Sequence, residues 1–156
     1  MKLTAIALLS LITIATLALA EPASAQSPSR KTNPRIAAAI RGVIDAQRDA
    51  WNRGDIAGYM DGYARSADTV FISGDNVTYG WETVLQRYKK GYDTREKMGV
   101  LTFSELAFNQ LGKDAVVVTG RWHLQRAGDE PHGRFTLIFR QTKAGWRIVH
   151  DHTSSA

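Results

Sequence analysis

Apolar residues recur every three or four positions in the first half of the chain and every two in the second. Ile36, Ile40, Val43, Ile44, Gln47 and Trp51 trace one face of a helix, because side chains at those spacings stack above one another on a 3.6-residue period. Asn33-Pro34 supplies its start: asparagine caps free backbone N–H groups, and proline is tolerated at the first helical position. Gly54 is a stop signal, and Asp55 can cap a second helix. There Ile56, Tyr59, Met60 and Tyr63 again share a face. The period then changes. "TVFIS" (69–73) is β-branched and aromatic, runs into the turn "GDN", and is followed by a short extended "VTYG". Trp81, Val84, Leu85 and Tyr88 return to helical spacing. From about Val100 onward strand follows strand: "VLTFSELAFNQL", "AVVVTGRWHLQR", "RFTLIFRQT" and "WRIVHDHTS".

The links between these last strands are short turns, which makes antiparallel hairpins the natural pairing. Helices first and a meander afterwards predict an α+β domain over residues 34–156, with N-terminal helices packed on a curved antiparallel sheet. A curved sheet wrapped on a long helix leaves a space between the two layers, where pockets of small domains commonly sit.

Residues 1–25 read differently. Met1-Lys2 precedes the apolar run "LTAIALLSLITIATLALA", and Ala23-Ser24-Ala25 is a small-x-small site. This is the pattern of a cleaved signal peptide, which implies export to the periplasm or medium. Cleavage after Ala20, or an uncleaved anchor, are the alternatives. Residues 26–33, "QSPSRKTN", form a flexible polar linker. The formal charge of +5 survives removal of the leader, which takes away one lysine and one glutamate. The basic residues are interspersed with acidic ones, so no nucleic-acid stripe is expected, nor stable membrane association after cleavage. With no cysteine in the chain, disulfides and thiolate chemistry are excluded.

Polar residues on the strands hold the candidate chemistry. Along "VVVTGRWHLQ", Val117, Thr119, Arg121 and His123 share one face, and Val116, Val118, Trp122 and Leu124 the other. The wholly apolar set should face the core, sending Arg121 and His123 to solvent or a subunit contact. In the last strand, alternation groups Trp146, Ile148, His150 and His152 against Arg147, Val149, Asp151 and Thr153. His150 and Asp151 therefore point apart, and Asp151 is free to pair with Arg121 if their strands are neighbours. Two histidines at i and i+2 do not make a closed metal site, so no metal is assigned.

"AWNRGDIAGYMDGYARSADTVFISG", "YGWETVLQRY" and "WRIVHDHTSS" together resemble the nuclear transport factor 2-like superfamily. The resemblance is stronger to its SnoaL-like branch and the neighbouring domain family of unknown function. The chain is also similar to the association domain of calcium/calmodulin-dependent protein kinase type II. The likeness spans about residues 36–155 and implies a cone-shaped cavity and a homodimer formed through the outer sheet face. It does not carry over an activity, because one fold hosts many. The ketosteroid isomerase pattern would place its general base at Ile72 and its phenolic donor at Gln47, neither of which can do that chemistry. Of the three arginines of the kinase association pocket, the resemblance keeps Arg121, with Leu137 and Thr153 at the other two positions. It thus turns Arg121 inward, where alternation turns it outward.

The pocket candidates are Tyr59, Trp81, Arg121, His123, His150, Asp151 and His152. Tyr59 and Trp81 join an apolar body to a polar tip, as cavity-lining aromatics do. Three functions follow. The first is an exported small-molecule-binding domain without a cofactor. The second is a cofactor-independent cyclase, lyase or isomerase with His150 or His152 as acid/base, since histidine titrates near neutrality. The third is an oligomerisation module with a filled core.

Overall fold

The computed structural model describes residues 32–156. The leader expected at 1–25 and most of the linker at 26–33 lie outside the described residues. Helix α1 spans Pro34–Asn52, and its Asn33 cap accepts a hydrogen bond from the Arg35 N–H at 2.9 Å. Its buried face carries Ile40, Ile44, Gln47, Ala50 and Trp51. The last carbonyls of α1 find donors in the turn that follows, where the Asp55 and Gly54 N–H groups reach the Ala50 and Trp51 oxygens at 2.9 and 2.8 Å. Arg95 adds to them, its guanidinium donating to the Trp51 and Asn52 carbonyl oxygens at 3.0 and 2.9 Å. Arg95 opens a four-residue helix, α4 (Arg95–Met98), which the periodicity does not predict because one turn is too short to show a period.

Helix α2 (Ile56–Met60) is capped by Asp55, whose carboxylate accepts the Gly58 N–H at 2.7 Å. It stops before Tyr63. The chain turns at Gly62, where a Cβ would fall 2.3 Å from the Gln47 side chain, so only glycine passes this close to α1. Tyr63 then lies extended beside Ile148 as an isolated parallel bridge. The helical spacing expected to run on to Tyr63 is thus broken, yet Tyr63 still enters the core. Strands β1 (Val70–Ser73) and β2 (Asn76–Tyr79) form a hairpin, and α3 (Trp81–Gly91) follows.

Strands β3 (Val100–Gln110), β4 (Ala115–Gln125), β5 (His132–Thr142) and β6 (Gly145–Thr153) make the expected antiparallel meander. The sheet order is β2-β1-β6-β5-β4-β3, with β1 joined in parallel to β6. That pairing joins segments some eighty residues apart, beyond the reach of local pattern. Two bulges bend the sheet. On β3, Glu105 and Leu106 stand opposite one residue of β4, and Glu105 is the only non-glycine residue with positive φ among the described residues, at 53°. On β6, Val149 is the extra residue between Ile148, paired with Phe139, and His150, paired with Ile138. A bulge adds one residue to one strand, bends it and resets which side chains share a face. The core fills the concave side: Ile40, Met60, Val84, Val116, Val118 and Phe139 are wholly buried.

Candidate functional site: a hollow cone with a carboxyl at its inner end

Between α1, α3 and the concave face of the sheet lies a cavity of about 420 Å³. Its walls are mostly aromatic and aliphatic, with Phe71, Phe103, Trp122 and Phe135 among the lining residues. A cavity of this size takes a small molecule.

The β6 bulge decides what reaches the interior. Uninterrupted alternation groups Ile148 with His150 and His152. With Val149 inserted, Ile148 and Asp151 both line the cavity, and His150 and His152 turn to the convex face. Asp151 is 5% exposed. Its Oδ2 accepts a 2.6 Å hydrogen bond from the Tyr63 hydroxyl, and its Oδ1 has no partner. Burial withholds water from the charged form and pushes the Asp151 carboxyl up to about 7, against the opposing pull of the Tyr63 hydrogen bond. The carboxyl therefore gains and loses its proton near neutrality. The hydroxyls of Tyr59, Tyr63 and Tyr88 are raised above the ordinary phenol value, first by burial and further by the Asp151 charge. They remain protonated donors. Tyr59 is held by edge-on contacts with Trp51 and Tyr88, at 5.1 and 5.2 Å between ring centroids.

Toward the mouth the charge reverses. Arg87 of α3 lies over the Phe71 ring at 5.1 Å, and Arg126, just beyond β4, lies 6.0 Å from the Tyr92 ring centroid. Both line the cavity. The C-terminal segment closes this end. The Ser154 N–H donates to the Arg134 carbonyl at 2.9 Å, the Ala156 N–H to the His132 carbonyl at 3.0 Å, and the Trp122 indole to the Ser154 carbonyl at 3.0 Å. A chain end frays unless tied down, and these bonds tie it beside β5, leaving Thr153 and Ser155 on the cavity wall.

Of the seven residues nominated from sequence, Tyr59 and Asp151 line the cavity. Trp81 does not: its indole donates to the Met60 carbonyl at 2.9 Å and its ring carries the Arg65 guanidinium at 4.2 Å. Arg121, His123, His150 and His152 stand on the convex face. There Arg121 meets Glu105 at 3.5 Å, and His123 meets Glu130 at 3.5 Å and the His132 ring at 6.2 Å between centroids. Arg121 cannot pair with Asp151, because β5 lies between their strands and the two side chains point to opposite faces. On β4 the alternation prevails over the inward position that the kinase likeness gave Arg121. Leu137 and Thr153, the other two positions of that pattern, do line the cavity, as does Gln47, whose amide donates to the Tyr59 carbonyl at 3.0 Å. Ile72 pairs with His152 and lies outside the lining, between Phe71 and Ser73, which belong to it.

Sequence reasoning missed Tyr63, Arg87 and Arg126 as site residues. Tyr63 had been visible as an apolar helical position, while the two arginines carry no local signal. Among the described residues no three His, Cys, Asp or Glu side chains converge as a metal site, and no helix is long and apolar enough to cross a membrane.

The fold and its hollow cone are those of the nuclear transport factor 2-like superfamily. Residues 40–156 match the SnoaL-like domain model, and the chain belongs to that family. It is similar to an NTF-2 like protein of unknown function from Shewanella oneidensis MR-1, at 37% identity over 76% of this chain and 98% of that one, with a TM-score of 0.73. An NTF2-like protein of unknown function from Pseudomonas putida KT2440 is 22% identical over 76% and 86% of the two chains, with a TM-score of 0.61. A structure from Xanthomonas campestris provisionally described as a calcium/calmodulin dependent protein kinase II association domain is 16% identical over 75% and 85%, with a TM-score of 0.61. The last two likenesses speak for the fold alone. No curated protein matches the chain.

Proposed function

We propose that this chain is an exported small-molecule-binding domain whose cone takes a compact, largely apolar ligand. The observation that carries this reading is the cavity itself: about 420 Å³ of space running to a buried carboxyl with one unpartnered oxygen. A buried acceptor without a donor costs about 1–3 kcal/mol, a cost that a ligand hydroxyl would offset. The filled core expected of a plain oligomerisation module is at odds with that space. Export rests on the leader pattern of residues 1–25. A homodimer through the convex face is supported by its exposed Val77 and Tyr79, which stand beside Ile72 and Val70 of β1 in register.

The test is a titration with N-phenyl-1-naphthylamine, an uncharged fluorophore that brightens in apolar surroundings. Its emission should rise on binding, and at a hundredfold excess over Kd it should stabilise the fold by about 2.7 kcal/mol. Unchanged emission and an unchanged Tm, with this probe and with other uncharged two-ring aromatics, would refute the reading.

A second reading, a cofactor-independent enzyme, is favoured by one observation: Asp151 is buried in the wall of an apolar cavity, which pushes its carboxyl up to about 7. In this form the acid/base is Asp151, with Tyr63 orienting it, and the histidines of the convex face take no part. It predicts that 2-tetralone bound in D2O exchanges its α-hydrogens faster than in buffer, and that Asp151→Asn loses the acceleration. Exchange at the buffer rate in the native protein would contradict it.

A further inference from the structure

Two buried side-chain polar atoms without a hydrogen-bond partner occur among the described residues, and both belong to residues lining this one cavity: Asp151 Oδ1 and Arg126 Nε. One is an acceptor in need of a donor, the other a donor in need of an acceptor. The Tyr63 hydroxyl is already committed to Asp151 Oδ2. The nearest carboxylate to Arg126 is Asp129, 3.6 Å from Nη1 on an exposed turn, too long for a hydrogen bond.

The register places the two groups at opposite ends. Asp151 is level with Leu137 and Val118. The next inward-facing level holds Thr153, Phe135 and Gly120, then come Trp122 and Leu124, and Arg126 lies beyond. Gly120 admits the Phe135 ring at this level: a Cβ there would fall 2.5 Å from it. Aromatic faces thus line the path from the carboxyl to the guanidinium. Arg87 adds a second cation to the lining, and Asp151 is its only carboxylate. Arginine stays charged at every accessible pH and grips a carboxylate with two parallel bonds.

Resting on the ligand-binding reading, we propose that the ligand class is a flat-bodied hydroxycarboxylic acid, its hydroxyl donating to Asp151 and its carboxylate held by Arg126 and Arg87. An ammonium fits the inner end poorly, because it needs three acceptors and the wall beside Asp151 is aromatic and aliphatic. The donor, the apolar body and the anion must come in that order along one molecule.

The experiment displaces N-phenyl-1-naphthylamine from the protein with three competitors at pH 7.5: 6-hydroxy-2-naphthoic acid, its methyl ester, and 2-naphthoic acid. The hydroxy acid should displace the probe at a concentration at least about tenfold lower than the ester, an order expected for a charged hydrogen-bonded contact. It should also beat 2-naphthoic acid severalfold. In Arg87→Met/Arg126→Met, where the apolar stems remain, the gap between acid and ester should close while the ester binds as before. Circular dichroism and Tm verify that this variant is folded, and Arg87→Met alone should close part of the gap. Equal displacement by acid and ester, or a gap that persists in the folded double variant, would overturn the proposal and leave the ligand-binding reading standing. If neither the probe nor any competitor binds, that reading fails and the proposal with it.

Discussion

The two faces of the sheet are built from alternating residues of the same strands, yet they carry opposite chemistry. The concave face is mostly apolar, and the charged groups of its cavity are one buried carboxyl at the inner end and two arginines toward the mouth, Arg87 from α3 and Arg126 from beyond β4. The convex face holds all four histidines, together with Arg121, Arg134 and Glu105, the last bridged to Arg134 at 2.8 Å. Charge on the convex face is paired in water, where an ion pair contributes little. On the concave face burial removes water from a single carboxyl and pushes it up to about 7. Residue type therefore says less about function than the face on which a residue stands. Histidine, the residue titrating near neutrality in solution, sits where nothing encloses a ligand, and aspartate has been brought to neutrality where something does.

The contrast can be tested by substitutions of falling effect. The largest should come from neighbours on β5: Phe139 is wholly buried, and Arg140 is exposed in an ion pair with Asp114. Phe139→Ala should cost about 3–5 kcal/mol and Arg140→Ala under about 1 kcal/mol, by urea unfolding. Equal losses would erase the distinction between faces. Next is the pH dependence. The folded-state pKa of Asp151 lies above its unfolded value of 3.8, so between about pH 4 and 7 the folded state binds the extra proton. Stability should then fall as pH rises through that window and level off above it. Asp151→Asn should flatten the slope and, at pH 8, stabilise by about 1–3 kcal/mol; a slope unchanged in the variant would contradict the assignment. Tyr63→Phe should cost about 1–2 kcal/mol at pH 8 by removing the hydrogen bond to the ionised carboxyl, and should move the Asp151 midpoint higher still. The smallest effects belong to the convex face. His150→Gln/His152→Gln should leave stability within about 0.5 kcal/mol and probe affinity unchanged, and a tenfold loss of binding would return the histidines to the site.

Local patterns made much of this legible in advance. The caps at Asn33 and Asp55, the stop at Gly54 and the two-residue alternation of β4 are properties of neighbouring residues, and each is found where it was expected. What stayed hidden depends on distant contacts or single backbone events. The Val149 bulge has no residue signature, yet it reverses the parity of everything after it, and so separates Ile148 from His150 and His152. The parallel docking of β1 on β6 and the extended Tyr63 beside Ile148 are settled by packing across the domain. Arg126 follows a strand end in a polar turn, where the sequence alone shows a solvated charge. Its role emerges only when the cavity is seen to pass beneath it.

Asp151 is the inner, titrating end of the proposed ligand cavity. A 13C-detected pH titration of the Asp151 carboxyl carbon, with and without 6-hydroxy-2-naphthoic acid, tests this most directly. The prediction is a midpoint near 7 that moves when the acid is added. A midpoint close to 3.8, the same in both samples, would contradict it.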